Sequence, residues 1–317
     1  MSKLFVLNGK ETTGNAGESF SIDLTRSYNL QNVVFNFSIT HDNAVALATS
    51  LTPYEFFGTC IKRLTIDVGA GNDIVNLTLV EHMVRMLKDN RNLSYTIDKT
   101  VGTNKVSKLL LIVSLSSIGM VSPKDTILNT IAYNHLKTTI TLGSATTDVA
   151  NLTLKSVKTT LREQQLANMK PIMINGKPSP AMHRRPVVIT KSIVADQKGF
   201  AIEFPKNERF SSITLFVMDG DSIVSGAIDV IKLKIKQNYR WQDTMEQLNE
   251  LNRFGLMDFV DANFNDIAIL DITQGQYTGV IDTRLPSENS GQIEVDVVKG
   301  TAAAPVVVAI FETLING

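Results

Sequence analysis

Hydrophobic and polar residues alternate with a period of two along much of this 317-residue chain. The alternation is clear in segments 33–40, 231–236 and 292–297, where apolar side chains occupy every second position. Such a pattern places one face of a β-strand on the core and the other face outward. Segments 109–113 and 306–310 are apolar at every position, which is typical of strands covered on both sides. The pattern therefore predicts a mainly β protein.

Two segments have helical spacing instead. Apolar residues recur at three- and four-residue intervals in segments 77–87 and 245–251. Asn76 stands at the predicted N-cap of the first helix. Asp243 and Glu246 have the spacing of a capping box before the second. We therefore predict one short helix in each half of the chain.

The chain contains the same pattern twice. Three blocks match in the same order, at offsets of 180, 169 and 153 positions: segments 20–37 with 200–217, 64–81 with 233–250, and 157–161 with 310–314. Because the order is preserved, we interpret the repeat as a tandem duplication of one domain, with loops of different lengths.

A connector separates the two copies. Segment 162–186 contains four prolines and an Asn-Gly pair, which are strong turn signals. We predict an N-terminal domain at 1–170 and a C-terminal domain at 171–317. Eight strands in about 150 residues suit a jelly roll, an architecture found in viral capsids, lectins and cupins. The predicted fold class is all-β, with two tandem eight-stranded jelly rolls that each carry a short α-helix.

Charge and composition exclude several classes of protein. The chain has 31 basic and 31 acidic side chains and no dense basic stripe, so we expect no direct contact with nucleic acid. The tightest basic cluster, His183-Arg184-Arg185, is interpreted as a solvated linker. Cys60 is alone, so no intramolecular disulfide is expected. Neither a transmembrane segment nor a signal peptide is predicted, which indicates synthesis in a reducing cytoplasm.

Candidate chemistry is sparse. The four histidines are scattered along the chain, and no local spacing gives a metal triad. Segment 69–72 superficially resembles a phosphate-binding loop, but it lacks the Gly-Lys-Ser/Thr that should follow, and we interpret it as a tight turn. Segment 219–222 is interpreted as a polar turn, and whether it binds calcium is left open. We predict no catalytic, cofactor-binding or metal-binding residue.

Two pairs of acidic residues could be imagined as a general acid and base. They are Asp23 with Glu203 and Asp258 with Asp261. Spacing alone does not bring such carboxylates together, and we interpret them as exposed charges at strand ends.

Several of these segments together resemble a known family. The strand-to-helix blocks 61–87 and 230–251, and the terminal run 279–285 that leads to 293–297, are similar to those of double jelly-roll major capsid proteins. The resemblance is to the coat proteins of tailless icosahedral bacteriophages with an internal membrane, especially the smaller, corticovirus-like members. No long N-terminal arm and no insertion large enough for a tall outer tower are recognised.

The resemblance implies a non-enzymatic coat protein. It implies a homotrimer whose six jelly rolls form a pseudo-hexameric block, and neighbouring trimers that tile an icosahedral shell over the membrane. The implied location is the virion capsid, after synthesis in the cytoplasm of a bacterial host. Minor capsid or membrane proteins of the virion are further implied partners.

Two alternative functions stay open. One is a double jelly-roll amidase that acts on glycans, which requires acidic residues that converge in one groove. The other is a glycan- or receptor-binding module, which would use exposed aromatic rings near Trp241 and Tyr239. For Trp241, packing over the start of the predicted helix is favoured over a sugar platform.

Overall fold

The computed structural model describes residues 4–26, 29–69, 73–89, 93–116, 127–130, 133–166, 172–174, 177–179, 182–235, 238–255, 266–272, 281–285 and 291–316. The chain divides into two compact units, Met1–Arg184 with Asn316–Gly317, and Arg185–Ile315. The division lies inside the predicted connector 162–186. The predicted domain boundary near residue 170 stays a prediction.

The N-terminal unit is built mainly of strands. Its elements have these bounds: β1 (Leu4–Asn15), β2 (Ser19–Asp23), β3 (Asn29–Asn43), α1 (Pro53–Cys60), β4 (Ile61–Asp67), β5 (Asp73–Thr78), α2 (Leu79–Lys88), β6 (Ser94–Thr96), β7 (Gly102–Ser114), β8 (Leu128–Asn129), β9 (Lys137–Leu142), β10 (Leu152–Leu166), β11 (Ile172–Ile174) and β12 (Lys177–Ser179).

Two antiparallel sheets organise this unit. Sheet A has the order β1-β10-β3-β7, with the short strands β6 and β8 beside β7 and β3. Sheet B has the order β2-β9-β4-β5. The chain passes repeatedly from one sheet to the other, which is the connectivity of a jelly roll. Strands β11 and β12 form a separate hairpin.

The C-terminal unit repeats this plan. Its elements have these bounds: β13 (Met182–Ser192), β14 (Gln197–Glu203), β15 (Arg209–Asp219), β16 (Ser222–Ile223), β17 (Ile228–Ile235), β18 (Asn238–Thr244), α3 (Met245–Gly255), β19 (Ala268–Asp271), β20 (Ile281–Asp282), β21 (Gly291–Val297) and β22 (Val306–Asn316).

The strand orders of the two units correspond one to one. Sheet C has the order β13-β22-β15, and β16, β19 and β20 also pair with β15. Sheet D has the order β14-β21-β17-β18. Sheet C has strands at the positions of sheet A in the same order, with β13 equivalent to β1, β22 to β10, β15 to β3 and β19 to β7. In sheet D, β14, β21, β17 and β18 are likewise equivalent to β2, β9, β4 and β5 of sheet B. The unit that was duplicated is therefore a complete eight-stranded jelly roll.

The alternation along the strands places the core between the two sheets of each unit. In β3, Val33, Phe35, Phe37 and Ile39 are all fully buried. In the C-terminal unit, alternate apolar positions of β15 and β17, among them Leu215 and Leu233, belong to one hydrophobic cluster. The sequence pattern thus predicted the inward faces of these strands correctly.

Helix α2 starts two residues later than the spacing predicted. Its N-cap is Thr78, whose hydroxyl accepts from the Glu81 backbone N–H at 3.3 Å, while the Glu81 carboxylate accepts from the Thr78 N–H at 2.7 Å. Asn76, the predicted cap, lies within β5. Pairing between β4 and β5 continues to Thr78 and keeps the chain extended up to that residue.

Helix α3 uses the same device one residue later than predicted. Thr244 and Gln247 exchange the two capping hydrogen bonds, so the predicted box of Asp243 and Glu246 is wrong. Strand β18 pairs with β17 as far as Thr244, which makes the last residue of the strand the cap of the helix. Thr78 and Thr244 therefore play equivalent parts in the two units.

Helix α1 adds a second helix to the N-terminal unit. Its start carries the usual signals, since the Thr52 hydroxyl accepts from the Glu55 N–H at 3.2 Å and Pro53 follows the cap. The helix has eight residues, and all but Glu55 are buried. A short helix buried on most sides has no amphipathic periodicity, and the sequence pattern did not detect it.

The closing strands correspond differently from the sequence match. In β10, Val157 pairs with Ile39 and faces the core. In β22, Ile310 pairs with Thr214, on the opposite face of β15 from the core residues Ile213 and Leu215. The match of Val157 with Ile310 is therefore wrong, because an odd shift of register turns every side chain to the other face.

Candidate functional site

The histidines are distributed over separate environments. His41 is fully buried and is hydrogen-bonded to Asn43 and Ser107, both at 2.8 Å. His82 is buried beside the Leu64 carbonyl oxygen, at 3.2 Å, whereas His135 is exposed. Within the described ranges no three His, Cys, Asp or Glu side chains are grouped so that they could hold a metal ion.

The candidate turn at 219–222 closes a two-stranded hairpin. Asp219 pairs with Ser222, and Gly220 between them has a φ of +61°, which glycine adopts readily. The Asp219 carboxylate accepts hydrogen bonds from the backbone N–H groups of Ala303 and Ala304, at 2.8 and 3.2 Å. These bonds tie the hairpin to the loop before β22, as expected of a polar turn. In the loop predicted at 69–72, only Gly69 lies within the described residues.

The acidic pairs are placed as predicted where the structure describes them. Asp23 ends β2 and Glu203 ends β14, and both side chains are exposed. Asp258 and Asp261 lie outside the described residues.

The aromatic pair near α3 lies on a strand and not in a loop. Tyr239 and Trp241 both belong to β18. The Tyr239 hydroxyl donates to Glu294 at 2.8 Å, and the Lys234 ammonium lies 5.3 Å from the centre of its ring. Trp241 is half-buried and packs against the hydrophobic cluster of the C-terminal unit. The ring of Tyr239 is exposed, and Glu294 and Lys234 hold it in a polar network.

The basic cluster at 183–185 is not a solvated linker. His183 and Arg184 are almost completely buried. The Arg184 guanidinium donates to both carboxylate oxygens of Asp89, at 2.7 and 2.8 Å. Asp89 is the C-cap of α2, where a carboxylate is unfavourable next to the helix dipole unless a cation compensates it. Both partners belong to the N-terminal unit, and the pair holds Arg184 at the end of α2.

The outer face of sheet A, the side away from the core, is basic. Lys108, Lys158 and Arg162 are exposed on it. Cross-strand pairing places Lys158 and Lys108 on either side of Ser38. Lys158 forms an ion pair with Glu11 at 2.9 Å. Among the described residues, no carboxylate lies within ion-pair distance of Lys108 or Arg162.

Apolar side chains lie between these cations. Arg162 pairs with Val34, and Val34 pairs with Ile112 across the next strand. Leu110 lies one row further along on the same face. All three apolar side chains are half-buried. The outer face of sheet A thus combines exposed cations with a partly open apolar strip.

A cavity of about 490 Å³ opens at the start of α3 in the C-terminal unit. Its lining includes apolar side chains of β15, β17 and α3 and four carboxylates, those of Asp229, Glu246, Glu250 and Asp266. Asp266 accepts from the Gly226 N–H at 2.9 Å. Within the described part of the chain, none of the four carboxylates has a Lys or Arg within ion-pair distance. We call this cavity the acidic pocket.

Neither the basic outer face of sheet A nor the acidic pocket is evident from the sequence. The four carboxylates of the acidic pocket come from β17, α3 and the segment before β19, and the three cations come from β7 and β10. Each surface is assembled by strand pairing between distant segments, so no local charge run announces it.

No helix in the described part of the chain is both long enough and apolar enough to cross a bilayer. No protein-family model matches the sequence, and no curated protein matches it.

Comparison with solved structures gives full-length matches. The STIV MCP superposes with a TM-score of 0.74 at 11% identity, over 99% of this chain and 97% of the other. A chain from the atomic structure of Sulfolobus Turreted Icosahedral Virus gives 0.75 at 12% identity, over 99% and 91%. The major capsid protein of bacteriophage PM2 gives 0.62 at 13% identity, over 100% and 98%.

These matches agree with the division of the chain into two units. They cover both units, so the likeness is to the whole double arrangement and not to a single jelly roll. Both the predicted fold class and the predicted resemblance are confirmed at the level of the fold. The chain has the double jelly-roll fold of viral major capsid proteins.

Proposed function

We propose that this chain is a major capsid protein, a structural subunit without enzymatic activity that assembles with copies of itself. The observation that carries the proposal is the repeated strand order of sheets A and B in sheets C and D. A chain made of two equivalent jelly rolls gives three copies the outline of a six-fold block. The full-length likeness to major capsid proteins supports the same function.

The proposed assembly is a homotrimer with a pseudo-hexameric outline. Neighbouring trimers tile an icosahedral shell over an internal membrane, and minor capsid or membrane proteins of the virion are further proposed partners. The proposed location is the virion capsid, after synthesis in the cytoplasm of a bacterial host. Closed cyclic symmetry is the usual arrangement of soluble homo-oligomers, and obligate interfaces bury on the order of 2,000 Å² or more.

Analytical ultracentrifugation of the purified protein tests the proposal. We expect a stable species of three times the 34.8 kDa chain mass, with hexagonal outlines in negative-stain electron micrographs. A monomer that persists across micromolar concentrations, with no ordered particles in the micrographs, would contradict a capsid function.

A further inference from the structure

Equivalent sheet faces have opposite exposure in the two units. On the outer face of sheet C, Phe216 and Ile310 are fully buried. Their counterparts on sheet A, Asn36 and Arg162, are exposed. The correspondence follows from the strand pairs, because Thr214 pairs with Ile310 as Val34 pairs with Arg162. The outer face of sheet A is therefore open where its equivalent is covered.

The exposure of the helices differs in the opposite sense, because the helix of the N-terminal unit is covered and the helix of the C-terminal unit is open. Every residue from Leu79 to Leu87 in α2 is buried. In α3, Glu246 and Glu250 are exposed. Counted from the capping threonines, these two glutamates stand where α2 has Val80 and Val84. The helix surface that is apolar and covered in one unit is thus acidic and open in the other.

The two open surfaces carry opposite charge. The outer face of sheet A presents the cations Lys108 and Arg162 with no internal partner among the described residues. In the acidic pocket, Glu246 and Glu250 are exposed and have no cationic partner among the described residues. The covered counterparts are apolar. Charge complementarity therefore points to a pairing of these two open surfaces.

We propose that the basic outer face of sheet A in one copy of this chain docks onto the acidic pocket at α3 of a second copy. The inference rests on the proposed self-assembly and names the surfaces that carry it. Because the two surfaces differ, the contact is heterologous, and in the proposed homotrimer it repeats from copy to copy around the ring.

The chemistry of the two surfaces fits such a contact. The aliphatic stems of Lys and Arg pack on apolar surface while their charged ends stay near water or carboxylates. The acidic pocket supplies apolar surface and carboxylates together, since Met245 and Ile228 line it beside the acidic side chains. Charged pairs at the edge of an interface chiefly set orientation, association rate and salt dependence.

Charge reversal tests the pairing. One variant carries Lys108→Glu and Arg162→Glu, a second carries Glu246→Lys and Glu250→Lys, and a third combines all four changes. We expect each double variant to weaken self-association by about tenfold or more, because like charges then face each other across the contact. The combined variant restores the attraction with reversed sign and should recover association.

The matched control is Lys198→Glu with Lys206→Glu, which reverses two exposed cations outside both surfaces. Circular dichroism and thermal unfolding show whether each variant folds, and Lys108→Gln with Arg162→Gln is the milder alternative for the sheet face. The docking proposal is overturned if the wild type associates and the double variants match the control. It is also overturned if both double variants weaken association but their combination does not restore it. A monomeric wild type would instead refute the proposed function.

Discussion

The buried histidine His41 is held in one tautomer by its neighbours. The Asn43 amide nitrogen donates to the carbonyl oxygens of Asp98 and Thr100, so its side-chain oxygen is the acceptor for the His41 Nδ1–H. Ser107 accepts from the Asp98 N–H and is free to donate its hydroxyl to Nε2 of His41. The neutral ring satisfies every one of these bonds, and a second ring proton would break the bond from Ser107.

This geometry predicts acid sensitivity. Burial lowers the pKa of His41 below its ordinary value of 6.5, although Asn43 and the charges of Asp98 and Asp42 oppose the shift. Below about pH 6.5 the unfolded chain binds a proton that the folded chain resists, so the free energy of unfolding falls as the pH falls. We expect the His41→Gln variant to lose less of its free energy of unfolding than the wild type does between about pH 7 and pH 5.

Urea unfolding at a series of pH values measures this effect, with His135→Gln as the control at an exposed histidine. Equal acid sensitivity in the wild type and His41→Gln would show that the buried ring is not responsible.

The sequence did not predict which charged residues are buried. Arg184 and Asp89 are far apart along the chain, and Arg184 sits in a run of three basic side chains. Such a run normally indicates a solvated segment. Whether a charge is buried depends on a partner brought to it by the fold, and one sequence does not identify that partner.

At the scale of elements, the two capping threonines give a matched comparison. We expect Thr78→Ala to lower the free energy of unfolding by about 1 kcal/mol, because the Glu81 N–H loses its acceptor at a buried helix start. Thr244→Ala removes the equivalent bond at a more exposed helix and should cost less.

Denaturant midpoints of both variants, with Thr78→Ser and Thr244→Ser as hydroxyl-retaining controls, measure the difference. A larger loss of free energy of unfolding in Thr244→Ala than in Thr78→Ala would contradict the expectation that the cap of the more buried helix, α2, contributes more.

Strand faces were predictable, but ends and registers were not. The period of two in β3 and β17 gave the core positions directly, since a half-buried strand must alternate. Both helices began later than predicted because the preceding strand kept its partner to the capping threonine. Strand pairing is a long-range property, so local spacing carries little information about where it stops.

At the scale of the whole molecule, charge is balanced in total and uneven in distribution. The formal net charge is +0, so no long-range repulsion opposes contact between copies near neutral pH. The basic face of sheet A and the acidic pocket supply local attraction. We expect self-association of the wild type to weaken as the salt concentration rises from about 50 mM to about 500 mM, because screening reduces that attraction.

Sedimentation velocity across the salt series checks the expectation. Association that is unchanged or strengthened by salt would indicate an interface dominated by apolar burial.

The odd register shift between β10 and β22 has a genetic consequence. A crossover that joined the two halves of the coding sequence at their best-matching final segments would place core residues on the wrong face of the closing strand. The product would be a single jelly roll with an apolar exterior and a poorly filled interior. We therefore expect a recombinant joined at these segments to fail to fold into a stable jelly roll.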